Sequence, residues 1–435
     1  MLAMFTKGPP LPVVSAQILR LDDAKVAAAH THPGTGTGRF GKSVGLLTVS
    51  VTAVADRITD APPVTWLLRA EVMLRPNRRL QSTKPLTVLI PAYNEGKFIA
   101  DTIKSVQNQT TPVERIIVID DCSTDDTGDV ARALGVEVIR PLKNQGSKAS
   151  ALNYAVDLIK TEYTLAIDAD TTLADDAIEA LMREFDDPAY VNQVGASTIA
   201  CVCGMVIPRN VRTLWERGRY LEYLYAFGFF KPVQDYYGRP LIASGCFSAY
   251  RTSVLKEMGG WNQRTVGEDM DLTWTIYLKG LDVRFAEKAI CYPVEPHNYD
   301  FMTRQLKRWS AGFVQCVKVH WKDLLSAKGV RAELLRSMVF IGLWDAIIAT
   351  AAFFLLIPLL AIFVHPLFLL AYFIDIPTVF VPVMYQAAKR GEIGRALGSL
   401  PGFFVLRFVN ALFIARALWT ELVLNKPIKV FEKGH

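Results

Sequence analysis

Cysteine is sparse, with six among 435 residues. The only close pair, Cys201-Val202-Cys203, lacks the two-residue spacer of a CxxC metal knuckle. Nothing here reads as a disulfide framework, and the six are expected as free thiols of a reducing compartment. Blocks of like charge are also missing, although 48 basic and 42 acidic residues leave a net charge of +6. The charge pattern therefore points to no nucleic acid. Its mild positive balance suits an anionic membrane surface or a phosphate-bearing ligand. A secretory signal is not expected, because Gly8-Pro9-Pro10 stand where a long apolar core would be needed. Residues 44–54 are apolar but fall short of the ~20 residues that cross a bilayer. What the chain has in excess is hydrophobicity, 51% of its residues, concentrated toward the C-terminus. Its length allows two or three domains.

Residues 1–84 are expected to form a region without an assigned role. Within it, PPVTWLLRAEVML (62–74) has the pattern of an amphipathic helix lying on a membrane surface. GTGRFGKS (36–43) satisfies the GxxxxGK[ST] phosphate-loop pattern. That pattern belongs after an apolar strand, whereas the preceding AHTHP (29–33) is polar and ends in proline, so it reads as a chance match.

From Pro85 the texture changes. LTVLIPAYNE (86–95), RIIVIDDCSTDDT (115–127), VEVIRP (136–141) and YTLAIDAD (163–170) read as strands. DTIKSVQNQ (101–109), GDVARALG (128–135) and KASALNYAVDLI (148–159) read as the helices between them. This alternation with short links predicts an α/β fold, a doubly wound and mostly parallel sheet of Rossmann type. Continuous apolar strands agree, since a parallel sheet is covered on both faces. Ligands of such sheets bind beyond the carboxyl ends of the strands. Three successive strands end there in Tyr93-Asn94-Glu95, Asp120-Asp121 and Asp168-Ala169-Asp170.

The last of these raises a question of charge. Side chains alternate along a strand, so Asp168 and Asp170 are expected on one face. Two carboxylates so close are costly without a cation between them. Mg²⁺ or Mn²⁺, which take oxygen ligands and bridge to phosphates, would answer the need. Taken alone, the pair reads first as a solvated turn, since Asp is common in turns.

The C-terminal third carries three apolar runs, 337–364, 366–385 and 397–424. The first two have spanning length, and the third either spans or lies at the interface because of Arg407, Arg416 and Glu421. The basic link QAAKRGEIGRALG (386–398) is expected on the cytoplasmic side, which sets the residues before 337 on that side too. The organisation expected is a catalytic domain at 85–300, interfacial helices at 301–336, a membrane region at 337–424 and a basic tail at 425–435. The expected location is the cell membrane, multi-pass, with the catalytic domain on the cytoplasmic face.

Six elements in order carry a resemblance: PAYNE (91–95), DDCSTD (120–125), NQGSKASALN (144–153), DAD (168–170), GGWNQRTVGEDMDL (259–272) and QLKRW (305–309). Residues 86–309 resemble the family-2 inverting glycosyltransferases of the GT-A fold. They are most similar to the membrane-integrated branch of cellulose, chitin, hyaluronan and poly-N-acetylglucosamine synthases. The resemblance implies a UDP-sugar donor and a Mg²⁺ or Mn²⁺ cofactor. Tyr93, Glu95 and one of Asp120 and Asp121 would contact the nucleoside. Lys148 would approach the diphosphate from a helix start. Asp168 and Asp170 would hold the metal, with Asp168 at the donor, and Arg308 would lie near the diphosphate. Asp269 would be the base that takes the acceptor proton, with Glu268 beside it. Gln305, Trp309 and Gly245 of the SGCF loop (244–247) would meet the acceptor, an indole face suiting sugar C–H surfaces. The expected function is β-linked transfer of a GlcNAc- or Glc-type unit to a growing glycan. Single transfer to a lipid- or protein-linked acceptor is the alternative. A sugar nucleotidyltransferase shares the fold and the acid pair but has no need of GED followed by QLKRW.

Overall fold

The computed structural model describes residues 84–428, apart from 192–194, 196, 239, 327–329, 350 and 375. The surface helix expected at 62–74, the phosphate-loop look-alike at 36–43 and most of the tail at 425–435 lie outside the described residues.

Strands and helices alternate as β1 (Leu86–Ala92), α1 (Ile99–Gln107), β2 (Arg115–Asp120), α2 (Thr127–Ala133), β3 (Glu137–Ile139), α3 (Lys148–Val156) and β4 (Tyr163–Ile167). There follow β5 (Thr172–Leu173), α4 (Ala177–Arg183), β6 (Ile199–Val206), α5 (Leu214–Tyr225), β7 (Phe247–Arg251), α6 (Glu268–Leu278), β8 (Asp282–Tyr292), α7 (Tyr299–Ser326) and α8 (Ile393–Leu418). One eight-stranded sheet runs in the order β3-β2-β1-β4-β7-β6-β8-β5. Alternate residues of each central strand face opposite layers: Leu89 joins one apolar cluster, Val88 and Ile90 the other. Cover on both faces is why β1 is apolar almost throughout.

The parallel winding expected from the sequence holds for β3-β2-β1-β4. Beyond β4 the sheet is mixed. β7 runs antiparallel to both β4 and β6, β6 is parallel to β8, and β5 is antiparallel to β8. The sheet therefore opens toward α5, α6 and α7 instead of continuing as a second parallel half.

Over the first expected apolar run, 337–364, the described residues give helical turns and a short apolar helix, Ala352–Phe363. Two longer helical segments, Pro366–Lys389 and Ile393–Val423, are long and apolar enough to cross a membrane. The link between them, expected to occupy 386–398, is only three residues, 390–392. Gly391 explains the economy. Its φ of +70° is the left-handed turn that ends a helix, with Gly391 N–H bonding Ala388 O at 3.0 Å and Glu392 N–H bonding Ala387 O at 2.8 Å. α8 then packs on α5 with almost no side-chain spacer. A Cβ placed on Gly218 would lie 2.5 Å from Gly402 O, and one on Gly402 would lie 2.4 Å from Leu214 O. Tyr220, Leu221 and Leu224 of α5 join one apolar cluster with Ala396 of α8 and with Val383 and Ala387 of the segment before it.

Candidate active site

A cavity of about 690 Å³ lies beyond the carboxyl ends of β1, β2 and β4. Tyr93, Glu95, Asp121, Lys148, Asp168, Asp170, Gly245, Asp269, Gln305, Arg308 and Trp309 all line it. Two residues expected beside them, Asp120 and Glu268, are not in its wall.

The first loop is set by Asn94, whose φ of +56° turns the chain sharply after β1. Asn94 N–H bonds Ser123 Oγ at 3.0 Å and Thr124 N–H bonds Asn94 Oδ1 at 2.8 Å, so the loops after β1 and β2 brace each other. Glu95 is 5% exposed, and its N–H bonds Thr127 Oγ1 at 2.7 Å. The adjacent acids Asp120 and Asp121 part company. Asp120 is fully buried, paired with Arg140 at 2.5 Å and accepting Ser123 N–H at 2.9 Å. Asp121 faces the cavity, where its Oδ1 accepts Gln145 N–H at 2.7 Å. Burial pushes the Asp121 carboxyl up, and Asp120 adds to the rise against the Gln145 bond.

Asp168 and Asp170 are not consecutive same-face residues of a strand, because β4 ends at Ile167. They sit in a turn closed by Thr171 N–H on Asp168 O at 3.1 Å. The turn, not strand alternation, brings both carboxylates to the cavity. Lys148 stands at the start of α3 behind the Ser147 cap, which accepts Ser150 N–H. Its ammonium pairs with Asp168 Oδ1 and donates to Gly245 O at 2.9 Å. Burial acts to lower the Lys148 pKa, but Asp168, Glu268 and Asp269 outweigh it and hold the amine charged well above its usual range.

Gly245 joins this cluster to Asp269. Its N–H donates to Asp269 Oδ2 at 2.8 Å while its carbonyl receives Lys148. A side chain there would crowd both partners, with a Cβ 3.0 Å from Asp269 Oδ2 and 3.2 Å from Lys148 Nζ. Asp269 lies in the first turn of α6, where a carboxylate meets the positive end of the helix. Glu268 beside it is buried in the protein. Burial and the Asp269 charge raise its pKa, with Lys148 and Arg308 opposing.

α6 is strapped to α7. Gly267 and Gly312 meet backbone to backbone, and Gln315 Oε1 accepts Val266 N–H at 3.0 Å. Further along, Asp271 is fully buried, takes two bonds from Arg264 at 2.8 and 2.7 Å, and lies 2.6 Å from His320 Nε2.

Gln305 and Trp309 are one helical turn apart on α7 and share a face. What holds them is Arg219 of α5, fully buried and not anticipated from the sequence. Its Nη2 donates to Gln305 Oε1 at 2.6 Å, and its guanidinium lies 4.6 Å from the Trp309 ring centroid. Glu222 and Glu295 neutralise it, and Tyr223 Oη donates to Glu295 Oε1 at 2.7 Å. Burial works to lower the Arg219 pKa; those acids reverse it. The only advance signal is an Arg–Glu pair at i, i+3 on an otherwise apolar helix face, which reads as an ordinary surface pair. Lys231, unlike Arg219, lines the cavity, and the sequence did not single it out either.

Two carboxylates on one turn are hard oxygen donors that fit Mg²⁺ or Mn²⁺ when phosphates and water complete the shell. Among the described residues no group of three or more His, Cys, Asp or Glu forms a complete protein cage for a metal. The lysine ammonium already drawn to Asp168 marks the spot as one that favours positive charge.

Residues 87–259 match the family model described as Glycosyl transferase family 2. The chain is 28% identical over 241 residues to a poly-β-1,6-N-acetyl-D-glucosamine synthase of Staphylococcus epidermidis, covering 53% of this chain and 55% of that protein. A Staphylococcus aureus protein of the same name is 26% identical over 249 residues, covering 56% and 58%. The chain thus spans little more than half the length of the curated relatives it matches. Among solved structures, a mannosyltransferase of Pyrobaculum calidifontis in complex with GDP-Man and Mn²⁺ superposes with a TM-score of 0.53 at 18% identity, covering 86% of this chain and 97% of that one. That likeness establishes the fold.

Proposed function

We propose that this chain, a glycosyltransferase carrying a family-2 domain related to poly-β-1,6-N-acetylglucosamine synthases, works at a membrane. It moves a sugar of GlcNAc or Glc type from a UDP-sugar to a glycan acceptor, with inversion to a β-linkage. One observation carries the reading: Gly245 ties the ammonium on Asp168 to the carboxylate of Asp269 across a single residue. A cation for the leaving group and a proton acceptor thereby meet on one glycine of the cavity wall.

In this reading Tyr93, Glu95 and Asp121 hold the nucleoside, and Asp168 and Asp170 hold Mg²⁺ or Mn²⁺. When bound, the ion supplies positive charge against the leaving diphosphate. Lys148 and Arg308 add protein charge at the same end. Asp269, oriented by Gly245 N–H, takes the proton of the acceptor hydroxyl as the new C1–O bond forms and the C1–phosphate bond breaks, which releases UDP. Glycosidic acceptors lie on Trp309, with Gln305 at the edge. Asp120 and Glu268 act from behind the wall, Asp120 by fixing the loop after β2. Pro366–Lys389 and Ile393–Val423 attach the enzyme to the lipid, with the 390–392 link on the cytoplasmic side beside the catalytic domain. Contacts of that link and the helix end before it with the domain support this orientation: Tyr220 Oη donates to Glu392 at 2.8 Å, and Lys389 pairs with Glu287 at 2.8 Å.

The test is UDP release by the detergent-solubilised full chain from a panel of UDP-sugars with Mg²⁺ or Mn²⁺, with the product sized. Metal-dependent release from one sugar is expected, reduced about 10²–10⁴-fold in Asp269→Asn. A ladder of products marks polymer synthesis and a single addition marks a lipid- or protein-linked acceptor. No release from any UDP-sugar in the presence of membrane extract overturns the reading.

A further inference from the structure

Lys231 is 4% exposed, yet its side chain forms part of the cavity wall. Among the described residues it makes no ion pair. Its hydrogen bond goes to Ser244 Oγ at 2.8 Å, and its ammonium lies 4.4 Å from the Phe227 ring centroid and 5.7 Å from that of Phe285. A buried ammonium without a carboxylate carries a large desolvation cost that two aromatic faces offset only in part. Folding alone gives no reason to keep it there. Ser244 is next in the chain to Gly245, so the ammonium stands on the same loop that holds Lys148 and Asp269.

The surroundings narrow what this amine is for. Phe227, Phe230, Leu241 and Ile242 line the cavity beside it. An anionic substituent would have to leave water for this apolar wall, at a cost the single amine offsets only in part. A sugar hydroxyl would satisfy the amine but leave the apolar wall uncovered. An acetamido group matches both: its carbonyl oxygen is a strong acceptor, and its methyl is apolar.

We propose that Lys231 and Ser244, with the Phe227–Ile242 wall, form a subsite that recognises the acetamido group of an N-acetylated sugar. This rests on the transferase reading and names the determinant of its sugar choice. The carbonyl oxygen accepts from the Lys231 ammonium, and the methyl packs on Phe227 and Leu241. The group belongs either to the donor or to the terminal acceptor sugar, and the test separates these sources.

Affinities of the full chain in detergent are measured for UDP, UDP-Glc and UDP-GlcNAc, in the wild type and in Lys231→Met and Lys231→Gln. Transfer to GlcNAc-ended and Glc-ended acceptors is measured alongside. The wild type is expected to favour the acetamido sugar roughly tenfold or more, the scale of one charge-assisted hydrogen bond. Lys231→Met abolishes that preference while UDP affinity stays constant, which also reports an intact fold. Lys231→Gln, which keeps an N–H donor, retains part of it. Loss of preference among donors assigns the group to the donor, and loss among acceptors only assigns it to the acceptor. A preference that survives unchanged in Lys231→Met on both sides overturns the inference and leaves the transferase reading standing. A wild type that binds no UDP-sugar and transfers none overturns both.

Discussion

At the end of the cavity formed by β1, β2 and β4, each carboxylate stands within a few residues of a parallel strand's end. The loops there brace one another through short-range bonds, as Asn94 does with Ser123 and Thr124. At the other end, formed by α5, α6 and α7, nothing comparable is local. Gln305 and Trp309 are positioned by Arg219, more than eighty residues earlier, and Asp269 is steadied by an α6 tied through Asp271 to His320. The first end is built by strand geometry and the second by buried charge. Strand ends recur wherever a parallel sheet forms, so that end tolerates the loss of a side chain that only faces the cavity. Buried ion networks are cooperative and fail badly when one member goes.

The sharpest way to break this contrast is Arg219→Ala. It leaves Glu222 and Glu295 facing each other without their cation. The expected loss is about 3–5 kcal/mol of stability, read as a lowered thermal midpoint. In protein that remains folded, acceptor KM rises while UDP affinity holds. Equal loss of UDP affinity would mean that the two ends are not separately built.

A smaller effect is expected at Asp271. Burial pushes its carboxyl up, but bonds from Arg264 and His320 win and hold it below its ordinary value near 3.8. A depressed carboxyl stabilises the fold above that ordinary value, and the contribution is lost as pH falls through and below it. Asp271→Asn is therefore expected to cost about 1.5–3 kcal/mol at neutral pH. Thermal melts taken downward in pH should show the gap to wild type closing below about pH 4. A gap constant with pH would mean that the carboxylate charge is not what the network uses.

The smallest change in stability is expected at the strand-end side. Asp121→Ala should weaken UDP binding about tenfold, the worth of one bond to a charged group, while the loss of stability stays within about 1 kcal/mol, because burial already disfavours this carboxylate and offsets the lost Gln145 bond. Its neighbour sharpens the point. Asp120→Ala removes the buried acceptor of Ser123 N–H and of Arg140 and should do the reverse, losing stability first. Calorimetric UDP titrations beside melting curves on the pair would separate the roles of two adjacent acids that sequence alone leaves equivalent.

Most of the strand-end side was legible in advance. β1 to β4 follow from continuous apolar runs, and the polar groups after three of them meet in one cavity. The reading of Asp168 and Asp170 as strand neighbours on one face did not hold, because a turn after Ile167 presents them. The mixed half of the sheet was not read, since β6 is a short apolar segment that periodicity does not tell from helix and the five residues of β7, FSAYR, are too few to show a period. The basic link at 386–398 was expected as a loop. Helix-forming residues on both sides of Gly391 shorten it to one tight turn.

By itself the sequence determined the α/β alternation, the placing of PAYNE, DDCSTD and DAD at strand ends, and the apolar C-terminal helices. These follow from period, propensity and turn chemistry within a few residues of each position. Only the tertiary structure decided that Asp121 and not Asp120 faces the cavity, that Glu268 is buried behind Asp269, and that Arg219 and Lys231 are inside at all. A charged side chain is read from sequence as solvated. Whether it is instead buried depends on partners brought together from distant segments, as Glu295 and Gln305 are to Arg219 and Ser244 is to Lys231.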